Sequence, residues 1–538
     1  MKFITDTFEK INDSLNPIVV KELRQAVQGK FLIVVLMLFL VVQLFTMGMG
    51  IFWANKSASL SFDAGREIFT VLLAILSATC LLFVPAYTGI RLASERSDAN
   101  VDLLFITTLR PRSIIWGKFL AALILTILFY SACMPFMTFT YLLRGIDLPS
   151  IFILLAFNFI IIAASVQSAI LIGCIPANRV SKAMLGVIWF VVVVGIFWRS
   201  TIFLCLQLLN AGIGSALNSW GFWRNALSVL VGGAALIGLF ALLSTALISP
   251  SSANRALPVR IFFTIVWLLI GVGMAIWSIA IGFFGPVAAW VSLYILLYCI
   301  ALCIAVSERE HLGQCVRQSI PRHWFRRLLV FPFYSGVASG VVWSSLMIIL
   351  TLLSLAAWLI VFPPYKVMGG RIPRSIAAWL TVFPYRSTGQ NIEMIFALAG
   401  TGLYAFSYAL GASLIRRRFL ANRVPVGYTW AIALVLLVIA TTIIPLILFF
   451  SSGEWNQNWF IGSPAGLFVG LFRGDFNELL GPSVSIAIVS AVFVAILSFP
   501  WLIRQIDDFR PPRPKATSQP QTNALETPPA ELKSTPQA

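Results

Sequence analysis

The side chains best able to do chemistry stand together in one loop, between two long apolar runs of the chain. The loop spans residues 91–118 and contains the acids Glu95, Asp98 and Asp102 on its first part. Arg110 and Arg112 follow on its second part. An apolar centre with a polar rim is typical of a surface that binds another protein. The sequence therefore predicts a contact site for a partner, and the alternative is a solvated loop of ordinary membrane topology.

The apolar centre of that contact site comes from the middle of the loop. Val101, Leu104 and Phe105 would form the apolar face of a short helix there and fit a groove on the partner. Pro111 would end this helix and redirect the chain toward the next apolar run. The candidate contact residues are Glu95, Asp98, Asp102, Leu103, Leu104, Arg110, Pro111 and Arg112.

Signs of catalysis are missing from the sequence. The two histidines, His311 and His323, lie in one basic loop, and no zinc-protease, nucleophile-elbow or phosphate-loop motif occurs. The seven cysteines lie in or beside apolar runs without a CxxC pair, which is typical of small apolar residues rather than of a metal site. We therefore expect no enzyme activity, no bound metal and no nucleotide site on this chain.

Composition places the chain in the membrane class. Of its 538 residues, 59% are hydrophobic and 11% are charged, whereas soluble domains have about 25% charged residues. The sequence predicts an all-α, polytopic transmembrane helical bundle of about twelve spans in the lipid bilayer. The net charge of +18 is spread over loops, so it indicates membrane orientation rather than nucleic-acid binding.

Twelve apolar runs are long enough to cross a bilayer. They cover residues 31–53, 68–90, 119–143, 151–175, 183–206, 226–248, 261–283, 287–306, 336–361, 392–415, 428–450 and 484–503. Most of the 38 Lys and Arg residues fall on one side of this arrangement. The positive-inside rule then predicts that both termini face the cytoplasm.

The segment before the first span is expected to be an amphipathic helix in the interface. Asn16 can cap it and Pro17 suits its first turn. The apolar stripe consists of Val19, Leu23, Ala26 and Val27, and the polar face consists of Lys21, Arg24, Gln25 and Gln28. An ordinary flanking segment is the alternative.

Two repeats are visible. Residues 354–363 recur as 375–384, a copy too short to span the bilayer. A fainter repeat joins two loops, since Ser94–Glu95–Arg96 and Pro111–Arg112 match Ser307–Glu308–Arg309 and Pro321–Arg322. This suggests two six-span halves in parallel duplication. The predicted organisation is an elbow at 1–30, halves at 31–250 and 251–505 with loops 91–118 and 307–335, and a disordered tail at 506–538.

The first 120 residues carry motifs in a recognisable order. Asn16–Pro17 precedes Lys21, Glu22, Leu23 and Arg24. Glu95–Arg96 precedes Asp102–Leu103–Leu104, and the run Thr107–Arg112 precedes Gly117–Lys118. In this order and placement, the segment resembles the permease subunits of ABC transporters of the type-2 exporter class. Ala99–Asn100 departs from the Gly–Thr usual in that family, so the bend of the loop is expected to differ.

The resemblance implies a function. It implies a permease subunit in the bacterial inner membrane that exports a substrate and couples to a separate ABC ATPase subunit. ATP and Mg²⁺ would bind to that partner, and further permease subunits or a second copy would complete the transporter. Glu308, Arg309, Pro321 and Arg322 would form a second coupling loop. The alternative is an integral membrane protein without ATP coupling, such as a passive channel or an assembly scaffold.

Overall fold

The structure, a computed structural model, consists of helices joined by turns and short loops in the part of the chain that it describes. The described residues are 17–56, 64–97, 111–143, 146–175, 179–193, 195, 199, 220–250, 253–281, 284–310, 312–361, 388–421, 423–452, 456–473 and 476–510. Within these ranges there is no β-strand. The prediction of an all-α fold is confirmed.

The helices of the first part of the chain begin with a short one and continue with long apolar ones. They are α1 (Pro17–Gln28), α2 (Lys30–Lys56), α3 (Ala64–Ser97), α4 (Pro111–Leu142), α5 (Leu148–Cys174), α6 (Arg179–Val193), α7 (Trp220–Ile248), α8 (Ala256–Ile281) and α9 (Gly285–Ala305).

The remaining helices include two short ones in the loop after α9. They are α10 (Gln314–Gln318), α11 (Trp324–Val330), α12 (Val337–Val361), α13 (Thr388–Phe419), α14 (Thr429–Val438), α15 (Ile444–Ser452), α16 (Pro464–Arg473) and α17 (Gly481–Asp508). A π-helical turn, Ile439–Ile443, joins α14 to α15, so the two form one continuous helix. A second π-turn, Phe476–Leu480, leads into α17.

Eleven of the described helical segments are long and apolar enough to cross a membrane. They correspond to eleven of the twelve predicted spans, which confirms a polytopic bundle of roughly this size. The exception is the fifth predicted span, of which the structure describes mainly the 15-residue helix α6. The rest of that span, the second copy of the 354–363 repeat and residues 511–538 lie outside the described residues.

The chain divides into two compact units. One comprises Met1–Tyr298 and Leu346–Leu398, and the other comprises Cys299–Ser345 and Ala399–Ala538. This division does not coincide with the predicted boundary near residue 250, and the duplication of two halves stays a prediction. Helix α17 continues to Asp508, past the predicted start of the tail at residue 506.

In the first unit, α3 and α5 are the central helices. In the most apolar stretch of each helix, 61% of the residues are buried, whereas in the corresponding stretch of α2 only 17% are buried. The two helices approach closely because small residues stand at their crossing. A Cβ at Gly89 would lie 3.2 Å from the Ala169 carbonyl oxygen, and one at Gly173 would lie 3.0 Å from the Gly89 oxygen. Small residues at crossings are how membrane helices pack without a hydrophobic driving force.

In the second unit, the core forms where α9, α12 and α13 meet. Leu302, Val337, Val341 and Leu410 are buried together there. The backbone around α16 is closely packed, since a Cβ at Gly466 would overlap the Phe460 carbonyl oxygen. Glycine at this position therefore lets α16 lie directly against the turn that precedes it.

Candidate functional site

Helix α1, the predicted elbow, lies against α4 and α2. It begins at Pro17, whose missing N–H costs nothing in a first turn, and the predicted helix is confirmed; Asn16 lies outside the described residues. Its buried residues are Val19, Glu22 and Ala26. The predicted stripe needs one correction, because Val27 is 61% exposed. A carboxylate, Glu22, occupies the inward face instead, and this requires a cation nearby.

Lys118 supplies that cation from the second turn of α4. Its Nζ lies 2.6 Å from Glu22 Oε1 and 2.7 Å from Glu95 Oε2. The side chains of Lys118 and Glu22 are only 6% and 9% exposed. One ammonium group therefore joins α1 to the last turn of α3 across the start of α4, and it does so largely shielded from water.

Arg91 closes the arrangement from α3. Its Nε lies 3.2 Å from Glu22 Oε2, and its Nη1 donates a 2.6 Å hydrogen bond to the Tyr87 hydroxyl. The exposed Lys21 stands at the edge, with its Nζ 3.8 Å from Glu95 Oε1. Lys21, Glu22, Arg91, Glu95 and Lys118 are called the elbow ion cluster below.

The elbow ion cluster is electrostatically close to balance, with three cations facing two carboxylates. Because its centre is shielded from water, the ion pairs are screened less than surface pairs would be. Each carboxylate has two cationic partners, so the loss of one partner would leave a buried charge under-compensated. The cluster thus joins α1 to the end of α3 and the start of α4, the two helix ends that flank loop 98–110 in the sequence.

The structure brings together only some of the candidate residues. Lys21, Glu22 and Glu95 meet in the cluster, whereas Leu23 is half-buried and Arg24 is exposed. Pro111 begins α4, and Arg112 is exposed beside it. Asp98, Asp102, Leu103, Leu104 and Arg110 lie outside the described residues.

Two members of the cluster were not among the candidate residues. Lys118 belongs only to the Gly117–Lys118 motif, and Arg91 belongs to no predicted site. The signal for Lys118 was its position directly before the apolar run 119–143, since a lysine inside a membrane helix needs an anionic partner. Arg91 gave a weaker signal, because an arginine at the end of a span is also explained by orientation alone.

The loop after α9 uses its own acids for internal contacts. Glu308 Oε2 accepts a 2.7 Å hydrogen bond from the backbone N–H of Gly336, directly before α12. Glu310 forms an ion pair with Arg416, whose side chain is 7% exposed. The Ser307 hydroxyl accepts a hydrogen bond from the backbone N–H of Trp430. This loop is therefore tied to the starts of α12 and α14 and to the end of α13.

The other candidate residues of this second loop make fewer contacts. Arg309 and Arg322 are exposed, and Pro321 is half-buried. The acids of the two Ser–Glu–Arg tripeptides each bond near the start of the next long helix. Glu95 pairs with Lys118 in α4, and Glu308 accepts a hydrogen bond from the Gly336 N–H, directly before α12. The repeat thus coincides with a shared local role, although duplication of the halves stays a prediction.

A groove runs beside the elbow ion cluster between α2 and α3. It has a volume of about 970 Å³ and an almost wholly apolar lining that includes Phe31, Phe39 and Phe83. Tyr87 and Arg91 also line it. The groove is thus an apolar surface that meets a charged one.

No cluster of metal-ligating side chains occurs in the described part of the chain. Among those residues, no group of three or more His, Cys, Asp or Glu side chains could hold a metal ion. The thiols of Cys80 and Cys133 are buried and form no disulfide. The chemistry that the described residues offer is charge pairing between helix ends.

Comparison with known proteins does not assign the chain to a family. No protein family, no characterised protein and no solved structure matches the chain. The fold and the elbow ion cluster are therefore the observations on which a functional proposal rests.

Proposed function

We propose that this multi-span membrane protein is the permease subunit of an ATP-driven ABC exporter and that a separate ATPase subunit contacts it at loop 98–110. The observation that carries the proposal is the elbow ion cluster. It joins Lys21 and Glu22 of α1 to Glu95 and Lys118, which flank that loop. These are positions of the motifs that resemble the exporter permeases.

The geometry suggests how coupling would work. A push on loop 98–110 would be delivered to the end of α3 and the start of α4, which the Glu95–Lys118 pair clamps together. Through Glu22 the same push would reach α1, so three helices would move as a unit. Because α3 and α5 are closely packed, movement of α3 would be passed to the centre of the first unit.

The residues at and beside loop 98–110 would have different roles in this coupling. Glu95 supports the frame from within, since its carboxylate already holds Lys118 and approaches Lys21. The direct contacts to the ATPase would come from Asp98, Asp102, Leu103, Leu104 and Arg110, with Arg112 at the rim. ATP and Mg²⁺ would be bound by the partner, and a second copy or another permease subunit would complete the transporter.

Co-purification from native membranes tests the proposal. The chain would be purified in mild detergent in three forms: intact, with Leu103→Ala and Leu104→Ala together, and with Leu328→Ala. Leu328 is a matched control, because it is an exposed leucine in a different loop. We expect an ATPase subunit to accompany the intact chain and the control, and to be lost from the double variant.

Two results would count against the proposal. If no ATPase subunit accompanies the intact chain, the protein functions without ATP coupling, as a passive channel or a scaffold would. If the double variant retains the ATPase while Leu328→Ala loses it, coupling runs through the second loop instead.

A further inference from the structure

Helix α11 is the most exposed apolar element outside the spans in the described part of the chain. None of its residues is buried. Trp324 is 69% exposed, Phe325 55%, Leu328 63% and Leu329 58%. Large apolar side chains in such a group mark an interaction surface when they stand together.

These four side chains do stand together. With 100° between successive residues of an α-helix, Trp324, Leu328, Phe325 and Leu329 fall within one arc of about 140°. The remaining side contains Arg326 and Arg327 with Val330 between them, and Arg326 is exposed. The helix therefore has one apolar face, and both of its charged residues lie on the opposite side.

The chain that follows α11 fixes its height relative to the spans. Phe331 packs edge-on against Phe509, with ring centroids 5.1 Å apart, and Tyr334 does so at 5.2 Å. Phe509 directly follows the end of α17, and the long apolar helix α12 begins at Val337. Since α11 ends at Val330, next to Phe331, it is held near the level at which two membrane helices end.

The charge of this segment is of one sign. Between Leu312 and Ser335 the sequence contains Arg317, Arg322, Arg326 and Arg327 but no Asp or Glu. The acids of the second loop, Glu308 and Glu310, precede this segment and bond to the Gly336 N–H and to Arg416 respectively. All charges of this segment are positive, and its helix has an apolar face that includes a tryptophan. Such a segment is complementary to an anionic lipid surface.

We propose that α11 lies in the membrane interface and binds anionic phospholipids. Trp324, Phe325, Leu328 and Leu329 enter the acyl-chain boundary. Arg326 and Arg327, with Arg322 beside them, contact lipid phosphates. With the predicted orientation, the leaflet is the cytoplasmic one, where anionic lipids attract such segments. This role is independent of ATP coupling, and it assigns the second loop to the membrane rather than to an ATPase.

Photo-cross-linking in intact membranes tests the apolar contact. A benzophenone side chain replaces Phe325 in one variant and Arg326 in a matched variant on the opposite side of the helix. We expect the position-325 variant to yield mainly phospholipid adducts, identified by mass spectrometry, and the position-326 variant to yield far fewer. Protein adducts at position 325, whether with an ATPase or with a second copy, would overturn the proposal, and so would equal lipid yields at the two positions.

Hydrogen exchange tests the charge. The full chain is placed in nanodiscs of phosphatidylcholine alone or with phosphatidylglycerol, and exchange is followed over residues 324–330. A gain of about fivefold in protection per arginine is expected in the anionic discs. The Arg326→Gln, Arg327→Gln double variant should lose most of that gain, and both residues lie on a helix with no buried side chain, so folding is preserved. Equal exchange in the two lipids would refute the binding of anionic lipid.

Discussion

Lys118→Met is the sharpest test of the elbow ion cluster. Methionine keeps the apolar stem but removes the charge that lies 2.6 Å from Glu22 and 2.7 Å from Glu95. Removing one partner of a buried ion pair costs about 3–5 kcal/mol of stability. Because Glu22 keeps Arg91 and Glu95 is 28% exposed, we expect the lower end, about 3 kcal/mol.

Lys21→Met is the matched control. Its Nζ is 3.8 Å from Glu95 and its side chain is 59% exposed, so the expected loss is about 0–1 kcal/mol. Both variants would be unfolded at equilibrium in dodecyl maltoside micelles with rising dodecyl sulfate, and the free energy of unfolding would be compared with that of the intact chain.

A double-mutant cycle makes the test stricter. In the Lys118→Met background, Glu22→Gln removes a carboxylate that has already lost its main partner, so it should cost less there than in the intact chain. The reasoning would be refuted if Lys118→Met and Lys21→Met were equally destabilising, or if the effects of Glu22→Gln and Lys118→Met simply added.

Three further variants can be measured by the same unfolding assay. Arg416→Met should lower the free energy of unfolding by about 2 kcal/mol, which is below the range for fully buried ion pairs because Glu310 is 24% exposed. Its control, Arg418→Met, changes an exposed arginine and should have little effect. Equal losses of stability in the two variants would contradict the ion pair between Arg416 and Glu310. Gly466→Ala should lower the free energy of unfolding by about 1–3 kcal/mol, because the new Cβ meets the Phe460 carbonyl. Gly273→Ala, whose Cβ has no atom within 4 Å, should be neutral or stabilising. A larger loss of stability at Gly273 than at Gly466 would contradict this packing. Tyr404→Phe removes a 2.8 Å hydrogen bond to the Ser483 carbonyl and should lower the free energy of unfolding by about 0.5–1.5 kcal/mol. Its control, Tyr408→Phe, should leave that free energy unchanged, since the Tyr408 hydroxyl has no partner among the described residues.

The bundle could be predicted because a bilayer leaves few choices. A chain in hydrocarbon must satisfy its backbone hydrogen bonds within each helix, so a run of about 20 apolar residues almost dictates a span. Helix α1 was predicted from Pro17 and its amphipathic pattern. The same pattern misassigned Val27, because an apolar stripe does not reveal that a buried acid, Glu22, turns the helix toward Lys118.

The pairing of the elbow ion cluster could be predicted only in part. Lys21, Glu22 and Glu95 were found from motif order, which carries no distances. That Lys118 meets both carboxylates depends on how α1 crosses the start of α4, a contact between residues 96 positions apart. Helix α11 was missed because a stretch of seven residues is too short for periodicity to be recognised without knowing which side chains are exposed.

ATP hydrolysis by the purified sample tests the proposed coupling most directly. The intact chain would be affinity-purified from native membranes, and vanadate-sensitive ATP hydrolysis in the eluate would be measured per mole of chain beside the Leu103→Ala, Leu104→Ala variant. The account predicts hydrolysis with the intact chain and little with the variant. Equal hydrolysis from both, or none from the intact chain, would contradict coupling through loop 98–110.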